Sequence, residues 1–458
     1  MIEVNLLHYL LTYITLSLLL LLFSGGTNRP ARLIFAICLI LPLVTGYLFF
    51  SDQKVSWYGP LILTRFSQQA VSIISLGCLL SVLYSGCQNL MRSIMANLML
   101  AFTLVLLSAN DFITFCLSLE LLGLLTTVIS VQSLMGTEPL QRRIDFVLIK
   151  QLHLLPLVLA VLLFYLATGT FSFREFTILN NYYYIMASVA LLTALVAKLG
   201  LPPFQAVVGL IFKQDEQNPN LPRLLIEGVA VMVGFLGPMH QIVQNMHSEV
   251  REIFIIITLS VALIATLYGG LITIKEHTVE YSVAFLYMVS SAAVLPLLTI
   301  YNDPRVPYIV LFYMASMAIS FALFLIGMKQ LALGSGLLRL WAKKVKRQHW
   351  IWLVSVVISL GSISYFPFTP GFTMRLALYA ALAEKHPAWA FCMIVAHLFT
   401  TIFTVKLLLP LFDGLSAESR RDSALDKLQI SDTISLGVFS LVIIIGGVIS
   451  LALIEILV

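Results

Sequence analysis

The chain is 458 residues long, 60% hydrophobic and 11% charged, with a formal net charge of +5 and a mean hydropathy of +0.98. Soluble domains carry about 25% charged residues, so this composition excludes a soluble enzyme, a disordered chain and a disulfide scaffold. The excess of Lys and Arg reads as the loop bias that orients a polytopic membrane protein, and no nucleic-acid partner is expected.

Apolar segments long enough to cross a bilayer fall at 4–23, 33–50, 68–87, 92–109, 111–134, 146–168, 183–212, 224–246, 252–274, 279–300, 306–328, 350–385, 388–412 and 433–457. They predict an all-α integral membrane protein with about 14 transmembrane helices. The first segment lacks a basic flank and a small-residue cleavage site, so it is expected to be a span and not a cleaved signal. Polar stretches are short, the longest being Gln330–His349 and Asp413–Asp432. Cys38, Cys78, Cys87, Cys116 and Cys392 are scattered without CxxC or metal-ligand spacing and read as small core residues.

Charges inside these apolar runs are the candidates for function, because an ionisable group at membrane depth costs about 2.5–3.5 kcal/mol and usually marks an ion path. The fifth segment carries Glu120, which must be neutral or paired there. The sixth carries Lys150 and, three residues on and on the same helical face, His153. His153 is a candidate relay group beside its plainer reading as a satisfied buried histidine. In the seventh, Lys198 is followed by Pro202 and Pro203, which break the helix and free carbonyls to line a polar path. The eighth holds Glu227, with His240 near its end. The twelfth is broken at Pro367-Phe-Thr-Pro-Gly-Phe-Thr-Met-Arg375 and again carries a charge. His397 is placed near a span end, Glu455 at the interface, and Lys406 is expected to snorkel to the cytoplasmic side. A buried Glu–Lys pair also has a purely structural reading, as a lock between helices.

Two interrupted, charged segments in corresponding places point to inverted repeats of five helices, with helices 7 and 12 broken. The division expected within the single membrane domain 1–458 is N-terminal helices 1–3 at 1–90, a first repeat at 91–247, a second at 248–412, and a C-terminal loop and helix 14 at 413–458. Basic residues gather in the odd-numbered loops, among them Arg29, Arg32, Arg142, Arg143, Lys343, Lys344, Lys346, Arg347, Arg420 and Arg421, against Lys54, Arg65, Arg174, Arg251, Arg305 and Lys385 in the even ones. This asymmetry puts both termini on the periplasmic or equivalent side. No GxGxxG, Walker loop, haem-ligand pair or cysteine cluster occurs, so no cofactor, metal or redox centre is expected on this chain, and energy is expected from an ion gradient or a partner.

Three runs, Leu117-Ser-Leu-Glu120-Leu-Leu, Ala197-Lys198-Leu-Gly-Leu-Pro-Pro-Phe204 and Pro367-Phe-Thr-Pro-Gly-Phe372 through Arg375, with fainter Ile144-Asp-Phe and Glu280-Tyr-Ser, resemble the antiporter-like proton-channel subunits of respiratory complex I and their relatives in Mrp antiporters and membrane-bound hydrogenases. The motifs are short, but they lie in order across nearly the whole chain. Length, and the absence of a His-rich signature in Pro307–Phe321, resemble the N subunit (mitochondrial subunit 2). The resemblance implies a proton-relay pair of Glu120 and Lys198, with Arg375, Lys150, His153, Glu227 and His240 as further members. It also implies a subunit of a proton-translocating NADH:quinone oxidoreductase, in a bacterial or mitochondrial inner membrane, partnered by other membrane subunits.

Three departures stand out. Met232 occupies the place of the family's eighth-span lysine, with Glu227 and His240 as candidate substitutes. Arg375 replaces the twelfth-span lysine, and a guanidinium does not give up its proton. Residues 205–214 lack the family's His-x-Trp-x-Pro-Asp continuation. They keep two other expectations open: a subunit of a cation/proton antiporter or ion-driven uptake complex with a non-redox partner, and a non-conducting structural subunit.

Overall fold

Thr64 and Ser67 open the helix that begins at Arg65 with a reciprocal capping box, Ser67 N–H donating to Thr64 Oγ1 (3.1 Å) and Thr64 N–H to Ser67 Oγ (3.0 Å). The computed structural model describes residues 56–58, 61–83, 90–134, 140–173, 176–206, 226–276, 279–330, 350–364, 366 and 369–416. The expected spans at 4–23, 33–50 and 433–457, both termini and most of the two long polar loops lie outside those residues.

The described residues form helices α1 (Arg65–Leu83), α2 (Leu90–Ser108), α3 (Phe112–Leu134), α4 (Leu140–Lys150), α5 (Leu154–Thr168), α6 (Asn181–Lys198), α7 (Val231–Asn245), α8 (Ser248–Lys275), α9 (Val279–Ala292), α10 (Val306–Gln330), α11 (Trp350–Ile363), α12 (Pro370–Lys385) and α13 (Pro387–Ser416). A π-helical turn (Ile226–Ala230) leads into α7, and a 3₁₀ turn (Leu295–Thr299) follows α9. One departure from the all-α expectation is a small antiparallel hairpin of β1 (Ser56–Tyr58) and β2 (Leu61–Leu63), with Trp57 opposite Ile62.

Helix ends follow local chemistry. Asp111 caps α3, its carboxylate accepting from Thr114 N–H and Thr114 Oγ1, both at 2.8 Å. Asn180 Oδ1 accepts from Tyr182 N–H (3.0 Å) at the start of α6. Gly169, at φ 72°, ends α5 with its N–H on Tyr165 O. Pro370 opens α12 at the first helical position, where its missing N–H costs nothing. Lys406 Nζ donates to the carbonyls of Ile274 and Glu276, so it caps the C-terminus of α8 where the sequence suggested only snorkelling.

The described residues fall into two units. The first holds the residues through Lys198 and 226–254. Here α2 packs on α1 and α3, α5 on α6, and α7 on α2, α3 and α6. Its core carries a cluster of rings, Phe112 to Phe164 at 4.4 Å and Phe115 to Phe235 at 5.0 Å between centroids. The second unit holds 199–206 and the residues from Ile255 onward, with α10 against α9, α11 and α12, and α12 against α13.

Six helical stretches among the described residues are long and apolar enough to cross a bilayer. Burial separates them: 83% of the window on α10 is buried, but only 33% of that at Arg143–Thr168 and 35% of that on α13. Leu155, Leu159, Leu162 and Leu166 form one exposed face of α5, and Phe391, Ile394, Leu398 and Ile402 another on α13. In water such faces would aggregate; in lipid they are ordinary. The chain is a multi-pass membrane protein.

The turn before α10 carries an ion-pair network outside the spans. Arg305 Nε donates to Asp303 Oδ1 (3.0 Å), Arg305 Nη2 to Asp303 Oδ2 (2.8 Å), and the same Nη2 to Glu384 Oε2 (3.0 Å). The Arg305 hydrogen bonds hold the Asp303 carboxyl below the usual carboxylate range. A depressed folded value means the stabilisation is present at neutral pH and lost as pH falls through it. Asp303→Asn is expected to cost about 1 kcal/mol or less at pH 7, because the pair is partly exposed. Thermal unfolding in detergent should show that deficit shrinking as pH is lowered from about 5 toward 2.

Candidate functional site

The candidate site of the first unit is assembled from the middle of α3, one interrupted span and the ends of two further helices. Asp111 fixes where α3 starts, and Glu120, Gly123 and Thr126 lie on the inward side of that helix. The hydroxyls of this helix satisfy themselves on its own backbone: Thr126 Oγ1 donates to Gly123 O (2.9 Å) and Thr127 Oγ1 to the same carbonyl (2.7 Å).

The sixth apolar segment is not one helix, as its length suggested, but two. Pro156 has no N–H for the carbonyl of Leu152 and crowds it. The backbone responds with a tighter turn, Leu152 N–H bonding to Ile149 O (3.3 Å) and Leu154 N–H to Gln151 O (3.0 Å). Lys150 and His153 stand on either side of this break. They face inward, at 6% and 1% exposure, while Leu155 beside them is 81% exposed. Across the break His153 Nδ1 lies 3.0 Å from Lys150 O. A carbonyl only accepts, so Nδ1 carries the hydrogen and Nε2 is the ring's working nitrogen.

Helix α6 ends at Lys198 because Gly200 takes φ 64° and Pro202 and Pro203 cannot continue it. Lys198 is therefore the last residue of its helix, just before the break expected at the proline pair. Its Nζ lies 3.0 Å from His153 Nε2. The same Nε2 lies 2.8 Å from Glu120 Oε1. Glu120 and Lys198, expected as a direct pair, meet through His153. Gly123 makes room for this: a Cβ there would stand 2.7 Å from Lys198 Nζ.

A second pair adjoins the first. Lys150 Nζ is 2.5 Å from Glu227 Oε1 and donates to Thr126 Oγ1 at 2.7 Å. Glu227 sits on the π turn that opens α7, and such turns are frequent at functional sites. Breaking a buried pair of this kind by removing one partner costs about 3–5 kcal/mol. Lys150 thus serves both pairs, its ammonium in one and its carbonyl holding the histidine of the other.

Nε2 of His153 has one hydrogen-bonding valence and two suitors. With a neutral ring it accepts from the Lys198 ammonium; with the proton on Nε2 it donates to the Glu120 carboxylate. It cannot satisfy both in one protonation state. A proton shift of less than 3 Å therefore exchanges one bond for the other, which is the arrangement a relay needs.

The remaining candidates lie elsewhere. Met232 is fully buried among apolar side chains of α7. His240 stands half-buried on α7, roughly 20 Å along the helix from Glu227 at 1.5 Å per residue. Arg375 belongs to the second unit, buried on α12, where Nη2 donates to Tyr313 Oη and the guanidinium lies 5.5 Å from that ring's centroid. His397, placed by the sequence near a span end, is deep within α13 and buried, with Nδ1 2.6 Å from both Tyr379 Oη and Met393 O. Sequence reasoning missed Thr126, Gly123 and Tyr313. Gly123 alone had a signal, one helical turn from Glu120.

No protein-family model matches the chain, and no curated protein matches it by sequence. Its fold, however, matches solved membrane complexes over nearly its whole length. A chain of respiratory complex I from Thermus thermophilus superposes with a TM-score of 0.76 at 14% identity, covering 97% of this chain and 98% of that one. A chain of the membrane-bound sulfane sulfur reductase, an archaeal respiratory membrane complex, gives 0.78 at 14% identity, over 98% and 94%. A chain of the Mrp complex from Dietzia sp. gives 0.76 at 16% identity, over 98% and 94%. The chain shares its fold with these chains of membrane complexes.

Proposed function

We propose that the chain is a proton-translocating membrane subunit of an NADH:quinone oxidoreductase-type complex, moving protons through a buried axis of Glu120, His153 and Lys198 in response to electron transfer in partner subunits. One observation carries the reading: a single histidine nitrogen within hydrogen-bond reach of both a lysine ammonium and a carboxylate at membrane depth. In the resting arrangement Lys198 is charged and donates to neutral His153. Transfer of that proton to Nε2 leaves a neutral lysine and an imidazolium bonded to Glu120, from which the carboxylate can accept and pass on the proton. Lys150 and Glu227 supply a second charged pair whose separation or approach shifts the balance of the first, since Lys150 O orients the ring. Arg375 acts on its surroundings through its fixed charge and does not itself carry a proton.

The test uses the chain within its native complex. Lys198→Met and Glu120→Gln are each expected to leave the complex assembled and electron transfer running while proton pumping, read with a pH-sensitive dye in sealed vesicles, falls by about tenfold or more. An unchanged proton-to-electron ratio in both variants sinks the proposal.

A second reading is favoured by Arg375 and Met232 at positions where the family resemblance expects lysine, and by the equal likeness to a chain of an Mrp complex. In it the chain serves an antiporter or ion-driven uptake complex with a non-redox partner. Co-purification decides: flavin and iron–sulfur subunits support the first reading, their absence the second.

A further inference from the structure

Between α12 and α13 lies a cleft of about 310 Å³, at the small end of the roughly 300–1,000 Å³ typical of ligand sites. Its lining is almost wholly apolar; at the inner end it meets the buried Arg375 and His397, where Tyr379 Oη sits 2.6 Å from His397 Nδ1. Its rim is apolar and open, with Leu376, Ile394 and Leu398 each 44–56% exposed. Ile394 and Leu398 belong to the exposed apolar face of α13, and Leu376 faces them from α12.

We propose that this cleft is a binding site for a lipid-borne carboxylic acid, a free long-chain fatty acid, with its head at Arg375 and its chain along Ile394 and Leu398 into the bilayer. Charge complementarity selects an acid: the inner end carries a guanidinium, whose planar fork matches a carboxylate. Depth selects which acid. His397 lies ten residues inside the span Pro387–Lys406, so the inner end is about 15 Å from either end of that stretch at 1.5 Å per residue. Phospholipid phosphates stay at the interface and do not reach it. A fatty acid does, because its neutral form crosses hydrocarbon at far lower cost than an ionised group. Arg375 and Tyr379 then replace the hydrogen bonds its head left in water.

The test is photolabelling of the full chain in native membranes with an alkynyl palmitic acid bearing a diazirine near its carboxyl end. Adducts are expected on the α12 and α13 peptides containing Leu376, Ile394 and Leu398. Excess palmitic acid should compete, and its methyl ester should compete roughly tenfold less well. Arg375→Gln should lower labelling about tenfold. Leu398→Trp, which plugs the rim without touching the guanidinium, should abolish it in a protein that still assembles. Equal competition by the ester, or adducts spread evenly over the exposed faces of α5 and α8, would mean bulk lipid and overturn the proposal. So would the absence of these adducts in native membranes, the result expected if a neighbouring subunit's helix fills the cleft.

Discussion

Replacing His153 with glutamine is expected to cut proton translocation by about 100-fold while the protein continues to fold and assemble. The glutamine amide can still donate to Glu120 and accept from Lys198, so neither buried charge is stranded. It cannot take up and release a proton, and proton transfer by a positioned acid–base group is worth about 10²–10⁴ in rate. His153→Phe removes the bridge altogether and leaves two charges without it. That variant should lose conduction and, in addition, about 3–5 kcal/mol of stability. Flux into proteoliposomes beside thermal unfolding separates the two effects. Gly123→Ala tests the same geometry from the other side: its Cβ would stand 2.7 Å from Lys198 Nζ, a flexible chain end that can move away. Flux should fall with little change in stability. A wild-type rate in His153→Gln would mean that Lys198 and Glu120 exchange protons without the ring.

Gly371→Ala is expected to destabilise the protein by more than about 2 kcal/mol, the upper part of the range for overpacked sites. A Cβ at this position would lie 2.8 Å from Met317 Cε and would overlap Ser362 O, which belongs to the backbone of α11 and cannot rotate away. The first turn of α12 lies directly on the last turn of α11, and only a glycine permits that approach. Loss of assembled protein on a native gel and a lowered Tm are the readouts. A normal Tm would mean that the two half-helices are not in contact.

Much of the site was legible because an ionisable residue in an apolar run is conspicuous by composition alone. Glu120, Lys150, His153, Lys198 and Glu227 all stand out that way, and the proline pair after Lys198 marks the helix end that places it. Their pairing was not legible. The i, i+3 spacing of Lys150 and His153 suggested one helical face acting together, but Pro156 breaks the helix between them and sends the ammonium to Glu227 and the ring to Glu120. The lysine expected to meet Glu120 directly reaches it through that ring. Tyr313 and Thr126 were invisible, and the partners of Lys406 unforeseen, for a similar reason: each gains its role from a partner distant in sequence.

The sequence by itself determined that this chain lives in a bilayer, roughly where its spans lie, and which charges must be accounted for inside them. Those are local properties, set by hydropathy, caps and prolines acting over a few residues. Only the tertiary structure decided which charge answers which, because a hydrogen bond of about 3 Å depends on helix rotation and on the space a glycine leaves, and neither is written in the spacing of residues along one strand of sequence. The 11% of residues that are charged excluded a soluble protein at once. Packing brought a few of them together around one histidine.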